Sequence, residues 1–332
     1  MKAMVLERPA AIETRPLAAR EMAEGPLAVG EVRLRVRACG VCRTDLHTVE
    51  GEIALPRLPL TPGHQIVGIV DELGPGAPSE LLGRRVGVAW MGGVCGRCAW
   101  CVSGRENLCP EARFTGLHRD GGYAERAVVR ADFTYQLPEG FNDVQAAPLL
   151  CAGVIGYRAL KLAGALGGGK LGIFGFGASA HVAIQIARHA GCEVFIFTRA
   201  ARHHTHAYSL GAAWVGSPDD SPPAEIDHAV IFSPAGEQVP LGLRNLARGG
   251  TIACAGVTMS DLPGFPYALL YHERAVRSVA NATRADAQDL LALAARIPIA
   301  TSVEVLPLED ANEALQRVKR SDVTGALVLC PR

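Results

Sequence analysis

Residues Lys170–Ala190 read KLGIFGFGASAHVAIQIARHA. Lys170–Phe174 has the apolar character of a buried strand, and the apolar residues of Ala178–Ala190 recur at helical spacing. Between them lies Gly175-Phe176-Gly177-Ala178-Ser179-Ala180, a G-x-G-x-x-G/A turn in the strand-to-helix setting of a dinucleotide-binding loop. There, Gly175 makes the turn, Gly177 lets the backbone approach a pyrophosphate, and the small Ala180 lets helix and strand pack closely. The helix N-terminus, opened by Ala178 and Ser179, faces the phosphate charge. A glycine-rich turn in an ordinary βαβ unit carries the same letters, so the loop alone does not settle the ligand.

Working outward, strand-like runs follow at Glu193–Thr198, Ala229–Phe232, Thr251–Ala255 and Ala275–Val279. A helix is expected before the loop at Val154–Ala165. Strands alternating with helices predict a parallel α/β sheet over about 151–285. The first half differs. Glu31–Val36 (EVRLRV), Gln65–Asp71 (QIVGIVD) and Arg85–Ala89 (RVGVA) are short β-rich runs divided by Pro59, Pro62, Gly63 and Gly74-Pro75-Gly76, the pattern of an irregular barrel or sandwich. Helices at Asp286–Ala295 and Leu308–Arg320 and a strand at Ala326–Leu329 close the chain, which is expected to fold back onto the N-terminal domain.

The whole chain has 332 residues, 49% apolar and 20% charged, which suits a large core and argues against disorder. Thirty-three basic residues balance 33 acidic ones, so the basic footprint of a nucleic-acid binder is missing. Mean hydropathy is +0.17, and no apolar run is expected to cross a membrane. MKAMVLERPA lacks the apolar core of a signal peptide, so a cytoplasmic location is expected.

Ten cysteines then need a role. Cys95-x-x-Cys98-x-x-Cys101, followed by Cys109, can wrap four thiolates around one Zn²⁺ and leave no open position, which makes a closed structural site over about 92–112. Disulfides and chance clustering are the competing readings, and a reducing compartment disfavours the first. Cys42, His64 and Cys151 could supply two thiolates and an imidazole with a fourth position open, but from spacing alone the triplet is a weak signal, since a lone Cys or His is more often core packing than a ligand. Cys39, Cys192, Cys254 and Cys330 read as small packed thiols. The run Arg202-His203-His204-Thr205-His206 reads as a solvated helix start.

Taken in order, GVCRTDLH (Gly40–His47), PGHQIVG (Pro62–Gly68), GRRVGVAW (Gly83–Trp90), the four-cysteine loop, PLLCAGVIGYRAL (Pro148–Leu160), the Gly175 loop and SVANATRAD (Ser278–Asp286) resemble the zinc-dependent alcohol dehydrogenases of the medium-chain dehydrogenase/reductase superfamily. The resemblance implies a GroES-like β-rich catalytic domain, 1–150 with 286–332, interrupted by a Rossmann domain, 151–285, with the active site in the cleft between them. It implies two zinc ions per chain: a catalytic one on Cys42, His64 and Cys151, and a structural one on the four cysteines. Zinc would act as a Lewis acid on an alcohol whose hydride passes to NAD or NADP. Asp45 would orient the histidine ligand. Thr44 would hydrogen-bond the substrate oxygen, and His47 would carry its proton onward. Arg43 and Arg284 would meet the cofactor. Trp90 and Ile53 would line the substrate pocket, the smaller Ile53 admitting medium-chain or benzylic alcohols.

The chain departs from the family at two places. Gln65 stands where a glutamate is usual, so no spare carboxylate ligand is available. Gly325-Ala326 replaces a Gly-Arg pair, and Lys319 or Arg320 would have to supply the lost pyrophosphate contact. At the end of the second Rossmann strand, Thr198 followed by Arg199 replaces the acidic residue typical of NAD-preferring relatives, a lean towards NADP. A polyol or amino-alcohol dehydrogenase and a non-catalytic nucleotide-binding relative are the alternatives; Cys151 disfavours the first and the complete ligand set the second. The resemblance also implies a dimer or tetramer that acts on small molecules.

Overall fold

The computed structural model describes residues 1–331 and divides the chain into two compact units, Met1–Cys151 with Thr283–Arg332, and Ala152–Ala282. The second division falls at Thr283, three residues before the expected boundary, because Thr283 caps a new helix. Its hydroxyl accepts from Asp286 N–H while the Asp286 carboxylate accepts from Thr283 N–H, a reciprocal capping box.

In the first unit the strands are β1 (Lys2–Leu6), β2 (Leu17–Glu21), β3 (Glu31–Val41), β4 (Gln65–Leu73), β5 (Arg85–Val88), β6 (Met91–Gly93), β7 (Arg113–Phe114), β8 (Arg126–Arg130) and β9 (Thr134–Gln136). Its helices are α1 (Arg43–Glu50), α2 (Ala99–Val102) and α3 (Asp143–Ala146). β3 is long because its alternation holds: Val32, Leu34 and Val36 are buried while Arg35 and Arg37 face out. Arg33 is buried as well, and its guanidinium donates to Glu72 at 2.6 Å and to the Gly25 carbonyl. β3, β4, β5 and β9 pair antiparallel in that order, with β8 on the first half of β3.

The second unit holds α4 (Ala152–Ala163), β10 (Gly169–Phe174), α5 (Ala178–His189), β11 (Cys192–Phe197), α6 (Arg202–Ser209), β12 (Trp214–Gly216), β13 (Ile226–Ile231), α7 (Gln238–Asn245), β14 (Leu246–Cys254) and β15 (Ala275–Ser278). All six strands are parallel, in the order β12-β11-β10-β13-β14-β15. That is the doubly wound Rossmann order, which reverses between β10 and β13 and places a ligand crevice at the carboxyl end of β10. Phe174 and Phe197 stack in the core with ring centroids 4.1 Å apart. β12 and α7 carried no sequence signal: β12 is three residues long, and α7 contains Pro240 and Gly242.

The chain then returns to the first unit as α8 (Arg284–Ala294), β16 (Val303–Pro307), α9 (Ala311–Lys319) and β17 (Ala326–Cys330). β17 pairs antiparallel with Cys39–Val41 of β3, and β16 lies parallel to β17 at the outer edge of that sheet. The 21-residue stretch Asp143–Ala163 contains an 18-residue window of mean hydropathy 1.3, which by length and composition alone could cross a membrane and so corrects the expectation that no run does. Of that window 67% is buried inside the protein, and Ala146–Leu150 serve as core.

Candidate active site and metal centres

Antiparallel pairing of β3 and β4 sets Gly40 opposite Gln65. Cys42 lies two residues beyond that pair and His64 one before it, so residues 22 apart in sequence become neighbours. Cys151 arrives from the turn after α3, whose Leu149 and Leu150 are fully buried and anchor it. The Cys42 and Cys151 sulfurs stand 3.9 Å apart, and with a ring nitrogen of His64 all three donors lie within 4.8 Å of one another. Zn–S bonds of about 2.3 Å in a tetrahedron require sulfurs about 3.8 Å apart, which this pair meets. His64 Nδ1 is taken by Asp45 at 2.9 Å, and the buried Nε2 has no hydrogen-bond partner. A buried imidazole nitrogen left over beside two thiols fits a metal ligand. A proton shared with Cys151 draws the Cys42 thiol well down against the cost of burial, and pushes that of Cys151 up. Burial opposes charge on His64, but Asp45's charge and hydrogen bond prevail and raise it to about 10.

α1 organises the surroundings. Cys42 is its N-cap and Asp45 closes the capping box, accepting from Cys42 N–H at 2.9 Å. The Asp45 carboxylate also accepts from Gly63 N–H, from His64 and from the Tyr123 hydroxyl, and is 2% exposed. Thr44 is buried, its hydroxyl 3.6 Å from Cys42 Sγ. Gly51 ends α1 in the left-handed region at φ 78°. That turn lets Glu52 N–H bond back to the His47 carbonyl and brings the Glu52 carboxylate within 2.5 Å of His47 Nδ1. Ile53, half-buried, follows on the same turn, its N–H on the His47 carbonyl. Trp90, also half-buried, lies with its ring 6.1 Å from that of His64 and stacks on Phe114 at 4.4 Å.

The four cysteines also come together. Sulfur separations are 3.9 Å for Cys95–Cys101, 3.5 Å for Cys98–Cys101 and 3.6 Å for Cys95–Cys109, again close to the edges of a zinc tetrahedron. Gly96 takes φ 73°, so the loop doubles back and Cys98 N–H reaches Cys95 Sγ at 3.3 Å. Backbone donors of Arg97 and Cys98 bring the Cys95 thiol down to about 7. No disulfide forms among the described residues. Cys39 and Cys192 are buried, and Cys254 and Cys330 half-buried.

In the second unit, Gly175 adopts φ 87°, and a Cβ there would meet the Ser233 backbone at 3.2 Å. Gly177 differs: its Cβ would meet nothing within 4 Å. As N-cap of α5 it offers no side-chain acceptor, so the first-turn N–H groups of Ala178, Ser179 and Ala180 are left to another acceptor. Open space above an uncapped N-terminus at the crevice fits a pyrophosphate. Thr198 directly follows β11, is buried, and its hydroxyl accepts from Ala200 N–H at 3.4 Å beside His203 Nδ1 at 3.5 Å. Arg199 is exposed. His203 and His206 are half-buried against Phe176, correcting the purely solvated reading of that run.

Several expected cofactor contacts are engaged elsewhere. Arg43 donates to the Val318 carbonyl at 2.9 Å and to Ser321, satisfying the C-terminus of α9. Arg284 pairs with the buried Glu106 at 3.4 Å and lies over the Phe133 ring. Lys319 is held by Glu13 and Glu50, and Arg320 by Glu313. Sequence reasoning missed Glu52, Tyr123 and Phe114. None of them stands in a recognisable motif position, and each acquires its place only through a turn or a neighbouring strand.

A β-rich metal-binding unit joined in one chain to a Rossmann unit is the construction of a metal-assisted nucleotide-dependent oxidoreductase. Residues 28–139 match the alcohol dehydrogenase GroES-like domain, and 180–296 match the zinc-binding dehydrogenase family. The chain is 42% identical to a probable alcohol dehydrogenase of Mycobacterium tuberculosis, over 99% of this chain and 97% of that one. Among solved structures, a cobalt- and zinc-bound thermostable alcohol dehydrogenase from Pyrobaculum aerophilum is 27% identical with a TM-score of 0.90, covering 100% of this chain and 99% of that one. An acetophenone reductase from Geotrichum candidum in complex with NAD is 26% identical with a TM-score of 0.89, covering 99% and 96%. The chain belongs to the zinc-type alcohol dehydrogenases of the medium-chain dehydrogenase/reductase superfamily. It is an oxidoreductase that interconverts alcohols and carbonyl compounds with zinc and a nicotinamide cofactor.

Proposed function

We propose that the chain oxidises medium-chain and benzylic primary or secondary alcohols, and reduces the matching aldehydes or ketones, at a zinc held by Cys42, His64 and Cys151. The observation that carries this reading is the convergence of these three donors within 4.8 Å, with His64 Nε2 unpartnered and its Nδ1 fixed by a carboxylate. When bound, zinc would supply Lewis-acid polarisation of the substrate oxygen, and a nicotinamide would supply the hydride acceptor or donor for the substrate carbon. Thr44, buried beside Cys42, holds the proton of the substrate hydroxyl. Glu52 accepts from His47 Nδ1, which places a proton on that nitrogen and holds the imidazole in one orientation for its part in the relay. Trp90 stacked on Phe114 forms a flat aromatic wall near His64 that suits a benzylic ring better than a chain of two carbons. The aromatic ketone in the name of the Geotrichum relative agrees with that wall.

A second zinc on Cys95, Cys98, Cys101 and Cys109 has a structural role. Gly175, Gly177, Ala178, Ser179 and Ala180 hold the pyrophosphate, and Thr198 with Arg199 favours NADP over NAD. Arg43 and Arg284 serve chiefly as internal braces, given their partners. A homo-oligomer is the working form, supported by β15 as the outer strand of its sheet and by Tyr267 and Tyr271 exposed beside it; sedimentation should show more than one chain per particle. Ten unpaired thiols suit the cytoplasm.

The test is elemental analysis together with turnover of ethanol, hexanol and benzyl alcohol with each cofactor. Two zinc ions per chain and the highest kcat/KM for benzyl alcohol or hexanol are expected. One zinc, present only at the four-cysteine loop, would return the chain to a nucleotide-binding role.

A further inference from the structure

Tyr123 is wholly buried in the hydrophobic core of the first unit, where packing accounts for its ring but not for the direction of its hydroxyl. It donates to Asp45 Oδ2 at 3.2 Å. The same oxygen accepts from Cys42 N–H at 2.9 Å, while Oδ1 accepts from His64 Nδ1 at 2.9 Å and Gly63 N–H at 3.2 Å. Each carboxylate oxygen thus has two donors. Three of the four come from the segments that carry Cys42 and His64. The fourth is Tyr123, from a separate segment.

That segment is registered against the His64 loop. Gly121 N–H bonds the Thr61 carbonyl at 2.7 Å, Gly122 the Gly63 carbonyl at 2.8 Å and Tyr123 the Pro62 carbonyl at 3.0 Å. Glycines make the approach feasible. A Cβ on Gly63 would run into the Tyr123 ring, and one on Gly122 would lie 2.9 Å from Cys39 Sγ. The phenol is aimed by close backbone packing and has little freedom to turn away.

We infer that Tyr123 is a positioning residue for the Cys42/His64/Cys151 zinc site: its hydroxyl fixes the Asp45 carboxylate, which in turn fixes the ring plane of His64. The inference rests on the zinc reading of those three residues. A buried carboxylate with only one donor on Oδ2 can rotate, and its hold on the imidazole loosens with it. Tyr123→Phe keeps the ring, its volume and the three backbone bonds, and removes only the donor.

The experiment follows zinc release from the holoenzyme to a chromogenic chelator, which should show two phases in the parent, one per site. Cys42→Ala identifies the active-site phase by removing it. Tyr123→Phe should speed that phase by about tenfold, the lower end for loss of a group supporting a metal ligand, and leave the four-cysteine phase unchanged. With cobalt in place of zinc, the visible ligand-field bands of the active site should shift in Tyr123→Phe and keep the parent position in Cys39→Ala, which alters packing beside the same ring. In an Asp45→Asn background, adding Tyr123→Phe should produce no further acceleration. Parent-like release and an unshifted cobalt spectrum in Tyr123→Phe would overturn the inference, as would a full tenfold effect that persists without Asp45. A parent with a single release phase that Cys42→Ala leaves intact would instead overturn the zinc reading, and the inference with it.

Discussion

The two groups of the first unit that could each hold a metal ion set their sulfurs at nearly equal distances, 3.9 Å for Cys42–Cys151 and 3.5 to 3.9 Å in the four-cysteine loop. They are built in opposite ways. The loop takes all four donors from one short run, and local turns such as Gly96 with backbone N–H donors shape it. The triplet draws on three distant segments held by a strand register, a capping box and a buried carboxylate. A closed four-thiolate site stabilises the fold and has no place for substrate. A three-donor site leaves a position open, and it needs outside support because nothing in its own segment holds it.

Removing a donor from each group is the sharpest way to break this comparison. Cys151→Ala or Cys42→Ala should lower kcat by about a thousandfold or more, since Lewis-acid stabilisation is worth several kcal/mol and each 1.36 kcal/mol is tenfold. Melting temperature should stay near the parent value and one zinc should remain. Activity within a few-fold of the parent at unchanged zinc content would show that the triplet is not the active site.

Cys98→Ser should do the reverse. It should release the other zinc and lower the melting temperature by about 5 °C or more, because a structural zinc contributes folding energy directly. Turnover per active-site zinc should change by less than about threefold, well under 1 kcal/mol. Calorimetry and metal analysis on one sample decide it; unaltered stability with full zinc would remove the distinction between the groups.

The contrast between shaping and binding extends to the two loop glycines. Gly175→Ala forces a side chain into φ 87° against Ser233 and should destabilise the second unit by about 1–2 kcal/mol. Gly177→Ala has neither strain nor a clash, so stability should hold while the Kd for either cofactor rises about tenfold, as the methyl occupies the space a pyrophosphate needs. Equal effects of both substitutions on melting would mean that the space over Gly177 is not a ligand's.

The smallest effect belongs to cofactor choice. Arg199→Ala should reduce kcat/KM with NADP by about three- to tenfold, in line with one exposed charge-assisted contact, and leave NAD unchanged. A parent that prefers NAD, with the variant identical to it, removes Thr198 and Arg199 from the discrimination.

Legibility followed the same division. The four-cysteine loop, the Gly175 turn and the alternation in β3 depend on residues a few positions apart, so spacing alone displays them. The Rossmann strands were read from buried apolar runs, whereas three-residue β12 and proline-bearing α7 were not, because a short or broken pattern has no period to detect. The resemblance implies Arg43 and Arg284 as cofactor contacts from their motif positions. Their partners within the protein, the α9 carbonyl of Val318 and the buried Glu106, sit far along the chain, and no local pattern announces them. Glu52 escaped notice because its meeting with His47 depends on the left-handed turn at Gly51.

By itself the sequence determined what local rules can specify: two kinds of unit, a four-cysteine loop, a glycine-rich strand-to-helix turn, and a family whose motifs occur in order. Tertiary structure decided which polar groups meet. Cys42 and His64 meet because β3 pairs with β4 in one register, and a slip of one residue would turn the strand faces over and separate them; Cys151 joins them from the buried turn after α3. Asp45 becomes a clamp because a tyrosine 78 residues away, aimed past a glycine, brings it a fourth donor. Contacts of that range depend on strand register and close packing, and both are properties of the folded chain.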